Sequence, residues 1–520
     1  MKIKDLIVSA ACSLIVPISF AQTTIEWGVE QAKSGGLVNV LPLNPSNFYT
    51  VRWQGNNVFG AYYINKFDEL KEEKAKRISN SVNNNIANFE DVILIEERPA
   101  VILSNVKDGK DHIYLQQYGY DLEPRGEAKL IASYDLMKGK TKDPIQVLQS
   151  KDKNYTAIVW MLIGKKKGFD LYGFKVLDSK MNVVQHGEYE LPFESRNTII
   201  SNNYLTNNGE FFFTVTEYNM DLLHDRNSVS PFKNLYIYQV KDAELKRYRL
   251  PLKGRRVEAA SITSDEKSNF TITGCYGEEN VRGIAGVFMM NVDFENEEIN
   301  VEGFHPFDRG FITENWTDKE IERLERRIEN GNANEPTLLN YSMGEAQTLE
   351  DGSVVGAMEQ YYIQRRANYT GMSYGTVNYV YYYNDIVTFR FDKDGNIMWI
   401  QKTPKIQVST NDGGPYSSYA FYIDGKNVNL IFNDNKENYT DAGTYKKGGL
   451  YSTSFGKKNN VVAHVKLDLL TGSSSRDVLL TRKEIGTLVK PKLFTNDPVN
   501  KEMIVFTMFR SKEKFGVIKY

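Results

Sequence analysis

Residues able to do chemistry are thinly spread along this chain. Its five histidines are His112, His186, His224, His305 and His464. None pairs with another at helical ligand spacing or stands beside a cysteine, so no metal site is expected. The cysteines are Cys12 and Cys275. Cys275 lies in the strand-like run "NFTITGCYGEE" with no basic cluster beside it, which predicts an inert buried thiol. There is no GxSxG, P-loop, dinucleotide fingerprint or HExxH, so the common nucleophilic, nucleotide and metalloprotease chemistries lose their motifs and no cofactor is expected. Carboxylate chemistry remains, because two acids from distant strands can converge without any local signature. Asp412 and Glu359 are the nominal acids, and catalytic residues stay unassigned.

The elements that would position such groups are β-strands. "YTAIVWMLIG", "DLYGFKVLDSKMN" and "VVQHGEYELPF" give one strand–turn–strand unit over Tyr155–Phe193. The same order recurs over Gly209–Leu252 and Asn269–Phe307, and in "SVVGAMEQYYI", "DIVTFRFDKDGN" and "IMWIQKTPK". It appears again in "NVNLIFNDN", "NVVAHVKLDLLTGS" and "RDVLLTR", and earlier in "AVILSNVKD", "HIYLQQYGYDLE" and "EAKLIASYDL". Units of about four antiparallel strands repeating every ~45–65 residues read as propeller blades, which must stack because no single sheet buries both its faces. The fold class is therefore all-β, a β-propeller of seven blades (six to eight by strand count) with short helical insertions. The terminal run from Lys490 to Tyr520 supplies three strands, and "NFYTVRWQGNNVFGAYYINKF", Asn47–Phe67, is expected to add the fourth and close the ring.

Tyr379, Tyr381, Tyr382 and Tyr383 crowd one of these strands, where aromatic residues favour a pleated surface and cross-strand pairing. "DKDGN" at Asp392–Asn396 reads as a hairpin turn rather than a calcium loop, having too few acids after it. "TNDGGPYSSY" partly resembles the aspartate box of sialidase-like propellers through Thr410, Asp412 and Gly414, but it lacks the closing aromatic residue and falls between blades.

The leader "MKIKDLIVSAACSLIVPISFAQ" has Lys2 and Lys4, an apolar run from Leu6 to Phe20 and small residues before Gln22. It reads as a signal peptide over residues 1–21, leaving residues 22–520 as one periplasmic or otherwise exported propeller domain. No later segment is apolar enough for a transmembrane helix. Loss of Cys12 with the leader leaves Cys275 alone and no intramolecular disulfide. A net charge of −2 from 64 basic and 66 acidic residues gives no footprint for nucleic acid.

Strand parity puts the second-to-third connection of each blade and the link to the next blade on one face. The long connections beginning at Tyr218, Gln364 and Asp434 and the insertion at 308–340 all belong to that face, where binding residues are expected to concentrate. The insertion contains "WTDKEIERLERRIENG", with a capping box from Thr317 to Glu320, a Trp316–Ile321 staple and Gly331 as terminator. A second charged helix is expected over "FDELKEEKAKRISNSV", Phe67–Val82. Arg365, Arg366, Tyr369, Tyr374, Tyr379 and Trp316 are the candidate partner-binding residues, since tyrosine, tryptophan and arginine anchor interfaces.

The leader, together with "DGNIMWIQKTPK", "SSYAFYIDGKNVNLIFND" and the terminal "FGVIKY", resembles exported propeller proteins of the Bacteroidota. That resemblance implies a cell-envelope protein and includes accessory or plug subunits of type IX secretion translocons, associated with an outer-membrane complex. With no separate C-terminal sorting domain visible, periplasmic retention is expected. The expected function is non-catalytic binding of a protein partner in the cell envelope. The alternative is a carbohydrate-active hydrolase or lyase with acids in the central funnel.

Overall fold

The computed structural model describes residues 23–520 apart from 57–58, 166, 225–228, 242–243, 267–269, 295, 297, 332, 369–375, 447–449, 456–458 and 487. The leader lies outside the described residues. Among them the chain forms eight large sheets, antiparallel apart from one short parallel pair, and one two-stranded ribbon, so this is an eight-bladed propeller. Each blade runs outward from an inner strand. The inner strands are Gly36–Asn44, Asn88–Ile95, Gln146–Gln149, Thr198–Leu205, Arg255–Ser264, Tyr341–Thr348, Ala420–Ile423 and, in blade 8, Leu488–Val489 with Thr495–Asp497.

Apolar residues alternate along the middle strands and point to the two neighbouring blades, so the cores form between sheets. Eight buried clusters follow, one at every junction. The first joins blades 1 and 2 through residues such as Val51 and Val101. Five more run in order through Ile102 with Trp160, Phe174 with Phe213, Phe212 with Phe288, Val287 with Phe389, and Ile386 with Phe432. Tyr422 with Val505 joins blades 7 and 8, and Phe48 and Phe67 against Phe515 and Val517 join blade 8 back to blade 1. A buried Val, Leu or Phe is worth about 1.5–3 kcal/mol, and here that burial needs both neighbours. A single blade therefore has no core of its own.

Two expectations need correction. The seven units read from sequence are blades 2–8; the additional blade is blade 1, over residues 36–77. Residues 47–67 are its second and third strands, Asn47–Gly55 and Gly60–Asp68, not the closing strand. That role falls to Glu26–Trp27 and Gln31–Ala32, which pair with Lys512–Val517. Gly516 permits the contact, since a Cβ there would lie 2.8 Å from side-chain atoms of both Ile25 and Trp27. The helix expected over 67–82 is instead a hairpin: Glu69 and Leu70 take φ of 45° and 63° and turn the chain into the outer strand Lys71–Arg77. Its charges mark a solvent-facing edge strand, where lysines discourage further pairing.

The insertion between blades 5 and 6 holds helices α1 (Arg309–Thr313) and α2 (Asp318–Glu329). The N–H of Thr317 donates to the Glu320 carboxylate at 2.8 Å, and Gly331 follows the helix at φ 68°. The Asp392–Asn396 turn is held by the Asp392 carboxylate, which accepts from the N–H groups of Asp394 and Asn396.

Candidate functional site

The second and third strands of blade 6, Val354–Asn368 and Thr376–Phe391, are the longest among the described residues. The inner strand stops accompanying them at Gln360. Beyond a bulge between Glu359 and Tyr361, they continue as a two-stranded ribbon, with Ile363 opposite Tyr381, Arg365 opposite Tyr379 and Arg366 opposite Asn378. Paired rings stiffen its base. Tyr361 and Tyr383 lie 4.6 Å apart, as do Tyr362 and Tyr382, the latter stacked.

Neighbouring connections are woven onto this ribbon. Gln407–Thr410 pairs with Val380–Tyr383, and Thr453–Ser454, from the long connection of blade 7, adds a parallel strand to Gln407–Val408. On the other flank the Lys402 ammonium donates to the carbonyls of Phe311 and Ile312 and lies over the Phe311 ring, fastening the α1 insertion to blade 6. One face of the propeller is thereby built up beside the funnel.

The candidate binding residues divide as follows. Arg365 and Arg366 are exposed on the ribbon, and Tyr379 beside them is 47% exposed. All three are strand positions: Tyr379 lies on the tyrosine-rich strand the sequence suggests, whereas Arg365 and Arg366, expected in the connection beginning at Gln364, extend the preceding strand instead. The Arg366 guanidinium donates to the Tyr382 hydroxyl at 2.6 Å and to the Gln364 amide oxygen at 3.1 Å. Trp316 is 39% exposed, between α1 and α2. It shares the face by strand parity, but among the described residues no hydrogen bond, ion pair or ring contact joins it to the ribbon. Tyr369 and Tyr374 lie outside the described residues.

At the foot of the ribbon is a buried polar cluster. The fully buried Lys405 ammonium contacts Glu359 at 2.5 Å and donates to the Tyr383 carbonyl at 3.0 Å and the Gln407 amide oxygen at 3.3 Å. The second carboxylate oxygen of Glu359 accepts from the Ser418 hydroxyl at 2.7 Å. Lys492 donates to the Tyr383 hydroxyl at 2.7 Å and lies over its ring. Desolvation lowers the pKa of both lysines, opposed by the Glu359 charge.

Below the cluster a cavity of about 620 Å³ runs along the inner strands of blades 6, 7 and 8, lined by Glu345, Glu359, Tyr419 and Lys492 among others. Gly344 makes room for Tyr419, whose hydroxyl would lie 2.6 Å from a Cβ there. That hydroxyl is buried without a hydrogen-bond partner among the described residues. Glu345 lines the cavity at an exposed position, and desolvation by the surrounding protein raises its carboxyl pKa. The lining acids are thus unlike: Glu359 is neutralised by Lys405, whereas Glu345 carries no such partner among the described residues. Asp412 is exposed and accepts from the Gly414 N–H at 2.9 Å, fixing its own loop.

Sequence reading singled out Glu359 but missed Glu345, Lys405, Tyr419 and Lys492. The one available signal was the small-residue pattern Ser342, Gly344, Ala346 around Glu345, which leaves an inner strand open to the axis. Burial pushes the Cys275 thiol up to about 12. No cluster of metal-ligating residues occurs among the described residues, and none of their helices is long and apolar enough to cross a membrane.

No protein-family description and no curated protein matches the chain. Among solved structures, the Dos1 propeller is similar at 9% identity over 95% of this chain and 94% of that one, with a TM-score of 0.43. Sqt1 of Chaetomium thermophilum is similar at 9% identity over 95% and 97%, with a TM-score of 0.38. The polysaccharide lyase Uly1 is similar at 10% identity over 83% and 89%, with a TM-score of 0.33. Likeness this distant carries no argument about activity. The class stands on the molecule's own sheet order and eight junction cores: an eight-bladed propeller with one elaborated face.

Proposed function

We propose that this chain is an exported, non-catalytic propeller that binds a protein partner in the cell envelope through its elaborated face, as an accessory or plug subunit of a secretion machine would. The observation that carries the reading is the projecting ribbon. It displays Ile363, Arg365, Arg366 and Tyr379 to solvent on a base stiffened by stacked tyrosines, and pre-organised aromatic and arginine side chains bind with little ordering cost. Export rests on the leader alone, and the secretion role on the sequence resemblance alone.

The test is recovery of a stoichiometric partner from cell envelopes by the tagged full chain under mild detergent. Replacing Ile363, Arg365 and Tyr379 by alanine is expected to leave the melting temperature unchanged and to weaken recovery about tenfold or more, equivalent to about 1.4 kcal/mol. A folded triple variant that still recovers every wild-type partner overturns the reading.

The alternative, a carbohydrate-active hydrolase or lyase, draws on Glu345, a carboxyl with a raised pKa lining a sizeable cavity, as a general acid. It has weaker support, because the second lining acid, Glu359, is tied to Lys405 and Ser418. Turnover of a polysaccharide that is lost in Glu345→Gln would favour it.

A further inference from the structure

The ribbon has one paired side and one open side. Its open side begins where Tyr361 donates its N–H to the Asn340 carbonyl at 2.8 Å, away from the hairpin partner. Backbone groups alternate along a strand with period two, and the register from Tyr361 to Asn368 is unbroken. The N–H and C=O groups of Ile363, Arg365 and Ala367 therefore face the open side as well. Among the described residues no backbone group meets them. Neither proline nor glycine interrupts this edge, and no bulge occurs within it.

Charge is distributed one-sidedly here. From Gln360 to Asn384 the only charged residues are Arg365 and Arg366, and neither has an ion-pair partner among the described residues. As neighbours on a strand they point to opposite faces. An incoming strand with acids on either face would thus meet an arginine, while the exposed Ile363 and Tyr379, on the same face as Arg365, offer apolar contact beside it.

We infer that the open edge from Tyr361 to Ala367 takes up an extended, acidic segment of a protein partner as an added β-strand. The inference rests on the binding face proposed above and specifies how that face binds. Main-chain hydrogen bonds provide affinity in this mode, and alternate side chains provide selectivity. A second copy of this chain is the poorer occupant, because pairing two such edges would set arginine against arginine. The same arginines would act as protective charges if the edge bound nothing, and the experiment separates these cases.

The probe is a fluorescein-labelled eight-residue peptide alternating glutamate and valine, titrated into the full chain and followed by anisotropy. Its controls are a lysine–valine counterpart and an equally acidic peptide with prolines in place of the valines. Saturable binding of the first peptide is expected, with both controls weaker by about tenfold or more. Ile363→Pro removes an outward N–H, which an edge strand tolerates, so this variant is expected to keep its melting temperature and lose the peptide. If it does not fold, amide exchange in the wild type decides: the amides of Ile363, Arg365 and Ala367 should exchange more slowly with peptide bound. No saturable binding up to about 1 mM, equal binding of the proline peptide, or unchanged exchange at those amides would overturn strand addition. Partner recovery that survives Ile363→Pro but falls in the alanine triple variant would reject strand addition and keep the binding face; recovery that survives both rejects the face itself.

Discussion

Buried polar side chains fix several joints of this molecule, and their legibility in the sequence differs. Glu359 stands out because it interrupts the apolar run "VVGAMEQYYI", so its importance is visible even though its role is not. Lys405 follows Pro404 in a link between blades and resembles any surface lysine until the fold buries it against Glu359. Proximity in space, not local pattern, makes that pair. His464 is a second example. It is buried, with its Nε2 2.9 Å from the Asn429 amide oxygen, and burial lowers its pKa from 6.5 to about 3. The unfolded chain therefore binds a proton near pH 6.5 that the folded chain refuses until about pH 3. This contribution to stability is fully present above pH 6.5 and is lost as pH falls towards 3. Between pH 7 and pH 5 the wild type should lose roughly 1–2 kcal/mol more unfolding free energy than His464→Gln. Urea unfolding at the two pH values checks this, and identical pH dependence would show that His464 titrates normally.

Elements were legible where burial imposed a period and obscure where it did not. The middle strands of blades 2–8 could be read because both faces are apolar, and the α2 cap because Thr317 and Glu320 satisfy backbone groups by local rules. The strand Lys71–Arg77 was read as helix because an outermost strand has only one face to bury and its sequence is almost entirely charged. The deciding feature was the two-residue turn at Glu69 and Leu70, whose positive φ values belong to the tight hairpin type that favours asparagine and glycine. Glu69→Asn is accordingly expected to stabilise the protein by about 0.5–1 kcal/mol, read as a higher urea midpoint with unchanged slope. Leu70 is not a useful site for the same change, since it packs in the core between blades 8 and 1. The ribbon was legible as a tyrosine-rich strand, but its projection beyond the blade depends on the inner strand ending early, which no local pattern announces.

At the scale of the whole molecule, closure is the weak point of any ring, because one junction must join the two ends of the chain. Here blade 8 combines C-terminal strands with Glu26–Trp27 and Gln31–Ala32, and a buried ion pair locks it to blade 1: Arg52 meets Glu513 at 2.8 Å with both side chains fully buried. Glu513→Ala leaves the Arg52 charge buried without its partner and should cost roughly 3–5 kcal/mol. Replacing both residues by leucine should cost much less, and equal losses in the two variants would show that packing, not charge, holds the joint. The closed ring gives the molecule two distinct faces, of which the ribbon-bearing one is proposed to bind. A photo-crosslinking residue at Ile363, 48% exposed on the ribbon, and another at Leu470, 74% exposed in a third-to-fourth-strand turn on the opposite face, compare the faces directly in intact cells. A discrete protein adduct is expected from position 363 and none from position 470; an adduct from 470 alone would show that the opposite face binds.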